Sequence, residues 1–417
     1  MIRFILADLR RYKAGALAVI VLIALSVALS VTVTLQERAV RLGSARAADK
    51  FDLLVGAAGS ETQLALSAVF LQPSPLPLMS GGVLAKLSKD PRVEFAAPVG
   101  FGDSADGHPV VGTTTPLVSA LSPVLSEGRL FARLGDAVVG SDVPKRLGTQ
   151  IKPMHGTAEE GGHTHTQIAY RVTGRMAATG TAWDRAILVP IRAVWQLHGM
   201  TPREEHDPME EATEADDHVH DQEAHVESDA PVDEHFDADT PGVPAVLVKP
   251  KTVADAYRLR QDYRGETTLA VFPGEVLTRL YATLGDARSL LLAIATGTQA
   301  IVAAAVLLVA IMHIGTRQRQ IGALRAFGAP RRSIVAIVSG ELFVLFLTGF
   351  GLGILIGQIA ARLISAALTA TTAVRMPVEF AREDIFLAAW FVALMMVIAI
   401  VPALFSLRTS PARALRV

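Results

Sequence analysis

The 417-residue sequence contains no cysteine, and only 19% of it is charged. The first absence excludes disulfides, thiolate catalysis and every cysteine-ligated zinc or iron–sulfur centre, so any metal chemistry must use histidine and carboxylate. The second, with 51% hydrophobic residues and a mean hydropathy of +0.38, is unlike an ordinary soluble chain and points to a membrane protein. Catalytic strings are missing as well. No G-x-x-x-x-G-K-[ST] phosphate cradle, G-x-S-x-G elbow or His-Glu-x-x-His pair occurs, so the chain is not expected to be an enzyme or to hydrolyse ATP alone. Nor is the net charge of -1 as neutral as it looks. Residues 204–239 hold 16 Asp and Glu with no Lys or Arg, which leaves 24 acids against 39 bases elsewhere.

Four stretches reach the roughly 20 apolar residues needed to cross a hydrocarbon core of about 30 Å: residues 14–35, 290–314, 334–361 and 384–407. The first follows a basic N-terminus, residues 1–13, and also resembles a signal peptide, with Ala45, Arg46 and Ala47 as a weak cleavage site. Its 22-residue run is long for a signal core of about 7–15, which favours a retained anchor. Basic residues set the orientation: Arg317, Arg319, Arg325, Arg331 and Arg332 crowd the connection 315–333, and Arg408, Arg413 and Arg416 follow the fourth span in the tail 408–417. Both termini and that connection are therefore expected in the cytoplasm. Residues 36–289 and the short loop 362–383 then lie outside. Gly349, Gly351, Gly353 and Gly357 let helices approach closely, and packing within one subunit or a dimer seam both fit.

The large outer segment reads as mixed α/β. Strand-like runs occur at Phe51–Val55, Val93–Val99, Ile168–Thr173, Ala186–Val189, Ala245–Val248 and Thr268–Phe272. AVLVKP, TVADAYRLRQDY and TTLAVFP form a βαβ unit of ferredoxin-like character, with Thr252 as N-cap and Val253, Ala256, Tyr257 and Leu259 at helical spacing. The following PGEVLTRLYATLGDARSLL is predicted to run helically into the second span. Residues 201–244, by contrast, have little apolar content and are expected to be a disordered loop.

Eight of the eleven histidines fall in two outer connections: His206, His218, His220, His225 and His235 in the acidic tract, and His155, His163 and His165 before the Ile168 strand. Imidazole with carboxylate is a usable ligand set for Zn²⁺, and the His-x-His pairs 163/165 and 218/220 bring two imidazoles within reach of one ion. A solvated acidic spacer with incidental histidine is the alternative. His313, at a span end, reads as a packed or interfacial side chain.

In the cytoplasmic connection GTRQRQIGALRAFGAPRRS, Ile321, Leu324 and Phe327 share one side of a short helix that Gly328 and Pro330 end. Such a helix can lie on anionic headgroups, but three apolar residues make too small a face for strong lipid burial and suit a groove in a partner. Glu341, about eight residues into the third span, is costly in hydrocarbon and should face the bundle interior, a partner helix or a structural pair.

These features together resemble the FtsX/MacB-like permeases of type VII ABC transporters. RQRQIGALRAFGA is similar to that family's coupling segment, Glu341 stands early in the third span as in the family, and Ser410-Pro411-Ala412-Arg413-Ala414-Leu415 resembles its C-terminal ending. Gln320 departs from the pattern, which often has Glu there. The resemblance implies four transmembrane helices with an extracytoplasmic α/β domain between the first two, in a bacterial inner membrane. It implies a permease homodimer in lipid, a separate ABC ATPase subunit that binds the ATP, and no nucleic acid. It assigns ATPase coupling to Arg317, Arg319, Ile321, Gly322, Leu324, Arg325, Phe327 and Gly328. The outer portion resembles a branch with a His- and acid-rich loop, which implies metal-linked transport. A non-transporting subunit that switches a periplasmic partner, such as a cell-wall hydrolase, is the other function the family implies.

Overall fold

A computed structural model describes residues 13–155, 168–200, 227–283 and 330–405, together with helical pieces between 289 and 308. These residues fall into two units. One is helical and takes the chain up to Leu42, residues 284–367 and the chain from Met376; the other, α/β in character, comprises Gly43–Thr283 and Leu368–Arg375.

Helix α1, Lys13–Ala48, has an uninterrupted Ala/Leu/Val/Ile stretch with no proline, and its backbone groups are satisfied within the helix, as hydrocarbon requires. In the α/β unit the helices are α2 (Glu61–Phe70), α3 (Gly81–Lys89), α4 (Thr115–Leu121), α5 (Ile191–Leu197), α6 (Val253–Asp262) and α7 (Pro273–Thr283). The helical unit adds α8, Arg331–Thr372, and α9, Arg382–Phe405. Helix α1 and residues Val335–Thr372 of α8 are long and apolar enough to cross a membrane. Their outer faces leave Leu17, Leu25, Leu355 and Ile359 exposed, an arrangement suited to lipid contact.

Helices α1 and α8 pack through glycines. A Cβ on Gly353 would stand 2.6 Å from Val27 Cβ and 2.8 Å from the Ala24 carbonyl, and one on Gly357 would stand 2.8 Å from the Ala28 carbonyl. Gly349 meets Ile23 in the same way, whereas Gly351 faces open space. Three of the four glycines therefore serve packing within the chain. Val19, Ile23 and Val27 join Leu345 and Phe346 in the resulting core, flanked by stacked Phe346, Phe350 and Phe391. The third helix also outruns its predicted span, continuing to Thr372, where Ala373 at φ 57° ends it. The loop expected at 362–383 is correspondingly short.

The α/β unit carries an 11-stranded mixed sheet in the order β11-β1-β10-β2-β3-β9-β5-β8-β4, with β6 on β8 and β7 on β2. Its strands are β1 (Leu53–Ala57), β2 (Val93–Ala105), β3 (His108–Thr113), β4 (Leu125–Gly128), β5 (Asp136–Val139), β6 (Gln150–Ile151), β7 (Met154–His155), β8 (Tyr170–Met176), β9 (Ile187–Pro190), β10 (Ala245–Pro250) and β11 (Thr268–Val271). Strands β10 and β11 both run antiparallel to β1, which lies between them, so β10-α6-β11 is a split βαβ unit. Thr252 Oγ1 accepts from Asp255 N at 3.1 Å, capping α6 as predicted. Only Ala256 and Leu259 are buried on that helix; Val253 and Tyr257, assigned to the inner face by spacing, are 76% and 61% exposed. Gly100 and Gly112 sit opposite each other on β2 and β3, and a Cβ on Gly112 would meet Val194 at 2.6 Å, so α5 packs directly on sheet backbone.

The predicted loop 201–244 needs a correction at its C-terminal end. Residues 227–243 are built into the fold: Val243 bridges Met79, Pro231 bridges Arg133, and Phe236 is buried against Trp195. Three apolar side chains among the acids, Val232, Phe236 and Val243, supply the burial that composition averaged over the tract had hidden. Residues 201–226 lie outside the described ones, as does the predicted continuity of α7 into the second span.

Gly353→Val should destabilise the detergent-solubilised chain by about 1–3 kcal/mol through overpacking, whereas Gly351→Ala should leave the thermal midpoint unchanged or slightly raised. Equal midpoints for the two variants would contradict the helix contact.

Candidate functional site

The coupling residues Arg317, Arg319, Ile321, Gly322, Leu324, Arg325, Phe327 and Gly328 lie outside the described residues, as does His313. The exit of that segment is described. Ser333 N donates to Pro330 O at 3.0 Å, opening α8 with Arg331 and Arg332 in its first turn. Cations at a helix N-terminus oppose the helix dipole, so these arginines do not serve helix stability; anionic headgroups or a partner would favour them. Glu341 is 6% exposed. Leu345, one turn further along, packs in the core shared with α1, so the carboxylate stands on the stripe of α8 that faces the bundle.

At the other end of α1, Arg38 reaches α9. Its guanidinium forms a two-pronged pair with Asp384, at 2.5 and 2.9 Å, and donates to the Glu379 carbonyl at 3.2 Å. Asp384 also accepts from Ala381 N at 2.8 Å, so one carboxylate fixes both the start of α9 and its distance from α1. Deeper along α1, Thr32 Oγ1 donates to the carbonyls of Ala28 in its own helix and Gly357 of α8, at 2.7 and 3.2 Å. The pairings between helices have no local sequence signal, because their partners are more than 300 residues apart.

The α/β unit holds the chain that follows α8 by a separate device. Buried Asp184 accepts from Thr179 N, Gly180 N and Thr179 Oγ1 at 2.7–2.8 Å, folding 179–184 into a rigid turn. That turn presents the Gly180 carbonyl to Arg375 N at 3.3 Å, while Arg185 donates to the Thr371 carbonyl. Val374, 3% exposed, completes a small apolar cluster with Ala47 and Ala182. The sequence marks this device only by T-G-T-A-W-D, a capping-type string of Thr, Gly and Asp.

Of the predicted metal ligands, His163, His165, His206, His218, His220 and His225 lie outside the described residues. His235 is fully exposed, and its Nδ1 lies 3.0 Å from Asp233 Oδ1. Asp233 also pairs with Arg192, and its carboxyl is held below the usual range, foremost by the backbone N–H of His235. Among the described residues, no group of three or more His, Asp or Glu side chains is placed to hold an ion.

Residues 292–412 match the family described as FtsX-like permease C-terminal. No curated protein matches the chain. Among solved structures, the periplasmic region of MacB from Actinobacillus actinomycetemcomitans is similar at a TM-score of 0.32 and 9% identity, over 56% of this chain and 95% of that one.

Asp184→Ala should leave three part-buried donors without their acceptor and cost about 1–3 kcal/mol. Denaturant unfolding of the purified chain, followed by tryptophan fluorescence, would show it; a loss below about 0.5 kcal/mol would mean that the turn holds without the carboxylate.

Proposed function

From the match of residues 292–412 to the FtsX-like permease C-terminal family, we propose that this chain is the transmembrane subunit of an ABC transporter in a bacterial inner membrane. In this reading a separate ATPase subunit hydrolyses ATP, and the permease, a homodimer with four spans per chain, converts that hydrolysis into movement of its α/β unit on the periplasmic side. The observation that carries the reading is the family match itself, which covers the coupling string RQRQIGALRAFGA and Glu341 and reaches Ala412. The absence of a phosphate-cradle string in all 417 residues fits an ATPase supplied by a partner. Zinc-linked export or envelope transport is the substrate class that the histidine connections support, with His163, His165, His206, His218, His220, His225 and His235 as ligands.

The mechanism assigned here is mechanical. Ile321, Leu324 and Phe327 occupy a groove of the ATPase subunit, with Arg317, Arg319 and Arg325 at the rim. Closure of the ATPase pair tilts the cytoplasmic end of the bundle. Within the helical unit, glycine-mediated packing of α1 on α8 and the Arg38–Asp384 pair make the helices move as one body. Within the α/β unit, the Asp184 turn grips the segment that follows α8.

Leu324→Asp should bury an uncompensated charge in the partner groove, costing several kcal/mol, and abolish co-purification with the ATPase subunit. Retention of both co-purification and stimulated ATP hydrolysis would refute the docking assignment. Glu341→Gln keeps the side-chain volume and removes the charge; we expect ATPase binding to survive while transport-linked phenotype is lost. A normal phenotype would reduce Glu341 to packing. If a periplasmic hydrolase activator co-purifies and no solute or metal phenotype follows deletion, the signalling function replaces transport.

A further inference from the structure

The chain crosses the boundary of the α/β unit at four places: Gly43, Thr283, and the two ends of the strap Leu368–Arg375. Contacts inside the unit bring all four together, and the last turn of α1 is the hub. Tyr281 lies two residues before the Thr283 crossing, and its Oη donates to Oγ of Ser44, one residue past the Gly43 crossing, at 2.7 Å. Ser44 is 8% exposed, so the hydroxyl pair is shielded from competing water on that side. Ala47 lies one helical turn beyond Ser44, and side chains at that spacing share a face. It is buried, and with Ala182 and Val374 it forms the small cluster that holds the strap. On either side of Val374, the Thr371 carbonyl and Arg375 N are bonded to Arg185 and Gly180. Beyond Ala48, where α1 ends, Phe51 meets Trp183, the neighbour of Ala182, at 5.9 Å between ring centres. One turn of helix therefore touches α7 through Ser44 and the strap through Ala47.

The Tyr281 hydroxyl is not what docks α7. Val276 and Leu277 are buried on that helix, Arg279 pairs with Glu61 of α2 at 3.0 Å, and Glu275 pairs with Arg260 of α6 at 2.7 Å. What Tyr281 adds is a tie to α1. Nor does one hydroxyl bond contribute much to a unit that has three large apolar clusters of its own. Its effect is geometric: a displacement applied at one crossing must either break the tie or carry the other crossings with it. Close-packed, hydrogen-bonded groups resist continuous deformation and pass strain on, which favours the second course.

We propose that Ser44, Tyr281, Ala47 and Val374 form one joint that makes the four crossings move together, with Ser44 and Tyr281 as its positioning residues. The joint itself follows from contacts within the α/β unit; its use, in turning ATP-driven motion into movement of the whole unit, rests on the transport reading. Without the tie, motion entering at one crossing is spent in sliding α7 or the strap against the sheet.

The test uses the full-length chain in detergent and two mild variants, Tyr281→Phe and Ser44→Ala, each of which removes the hydroxyl pair and leaves the apolar contacts in place. Amide hydrogen exchange is followed at residues 43–51, 277–283 and 368–375, alongside the thermal midpoint. We expect midpoints within about 2 °C of the parent, since the fold does not depend on the tie. Exchange should quicken by about threefold or more in all three segments together, although neither substitution touches the strap, and the double variant should match the singles because both break one contact. Faster exchange confined to 277–283, or no change in any segment, would overturn the joint. With the ATPase subunit added, the variants should co-purify with it and hydrolyse ATP as the parent does, yet show a weakened transport-linked phenotype. A normal phenotype beside quickened exchange would overturn the coupling role. Failure of the parent chain itself to bind an ATPase subunit would overturn the transport reading instead, and the exchange result would still decide the joint.

Discussion

Strand β2 is paired from end to end, first with β10 and then with β3 and β7, and the α/β unit depends on that pairing. Residues 93–99 hydrogen-bond to β10, and residues 100–105 to β3 and β7, with the register shifting between Gly100 and Asp103. One backbone therefore belongs to two regions of sheet, the β11-β1-β10 side and the β3-β9-β5-β8-β4 side. A shift of a single residue in β2 would turn its side chains to the other face for both regions at once. The two apolar layers are built against this constraint, Ala97 and Val99 contributing to one cluster and Val93 and Ala96 to another.

How much of this was legible in the sequence depends on whether the signal is local. The Thr252 cap, the β10-α6-β11 unit and the long apolar runs of α1 and α8 were readable, because capping chemistry, periodicity and run length are properties of adjacent residues. Strand β3, with the sequence HPVVGT, and the four-residue β5 were not, since a central strand flanked by glycine and proline has neither alternation nor length to mark it. Tyr257 misled for a related reason: helical spacing places it on the inner face, but its ring is spent edge-on against Phe272 at the surface instead. The acidic tract shows the converse case, in which a composition average concealed Phe236 and Val243, each with a site waiting in the fold. Arg38 with Asp384 and Ser44 with Tyr281 were beyond reach altogether, as each joins residues that only the finished fold brings together.

Charge is distributed to match these roles. Arg331 and Arg332 open α8, while 16 of the 40 acids are gathered into residues 204–239, which hold no Lys or Arg. Segregation on this scale gives the chain's most polar segment a negative potential that a net charge of -1 does not show. Inside the α/β unit charges are handled pairwise, as in Arg92 bridging Asp90 and Asp262, which leaves the Asp90 carboxyl below its usual range, first because of Arg92.

The grip on Thr371, Val374 and Arg375 bears on where this protein can be cut. Leu368–Arg375 belongs by its contacts to the α/β unit, although more than 80 residues of chain separate it from Thr283, the end of that unit's main segment. An excised fragment spanning only 43–283 would lose Val374 from the cluster with Ala47 and Ala182 and leave the Gly180 carbonyl without its backbone donor. Such a fragment would carry an apolar notch open to water. A soluble version of the unit that keeps its native surface has to include that eight-residue strap, joined through a linker to residue 283.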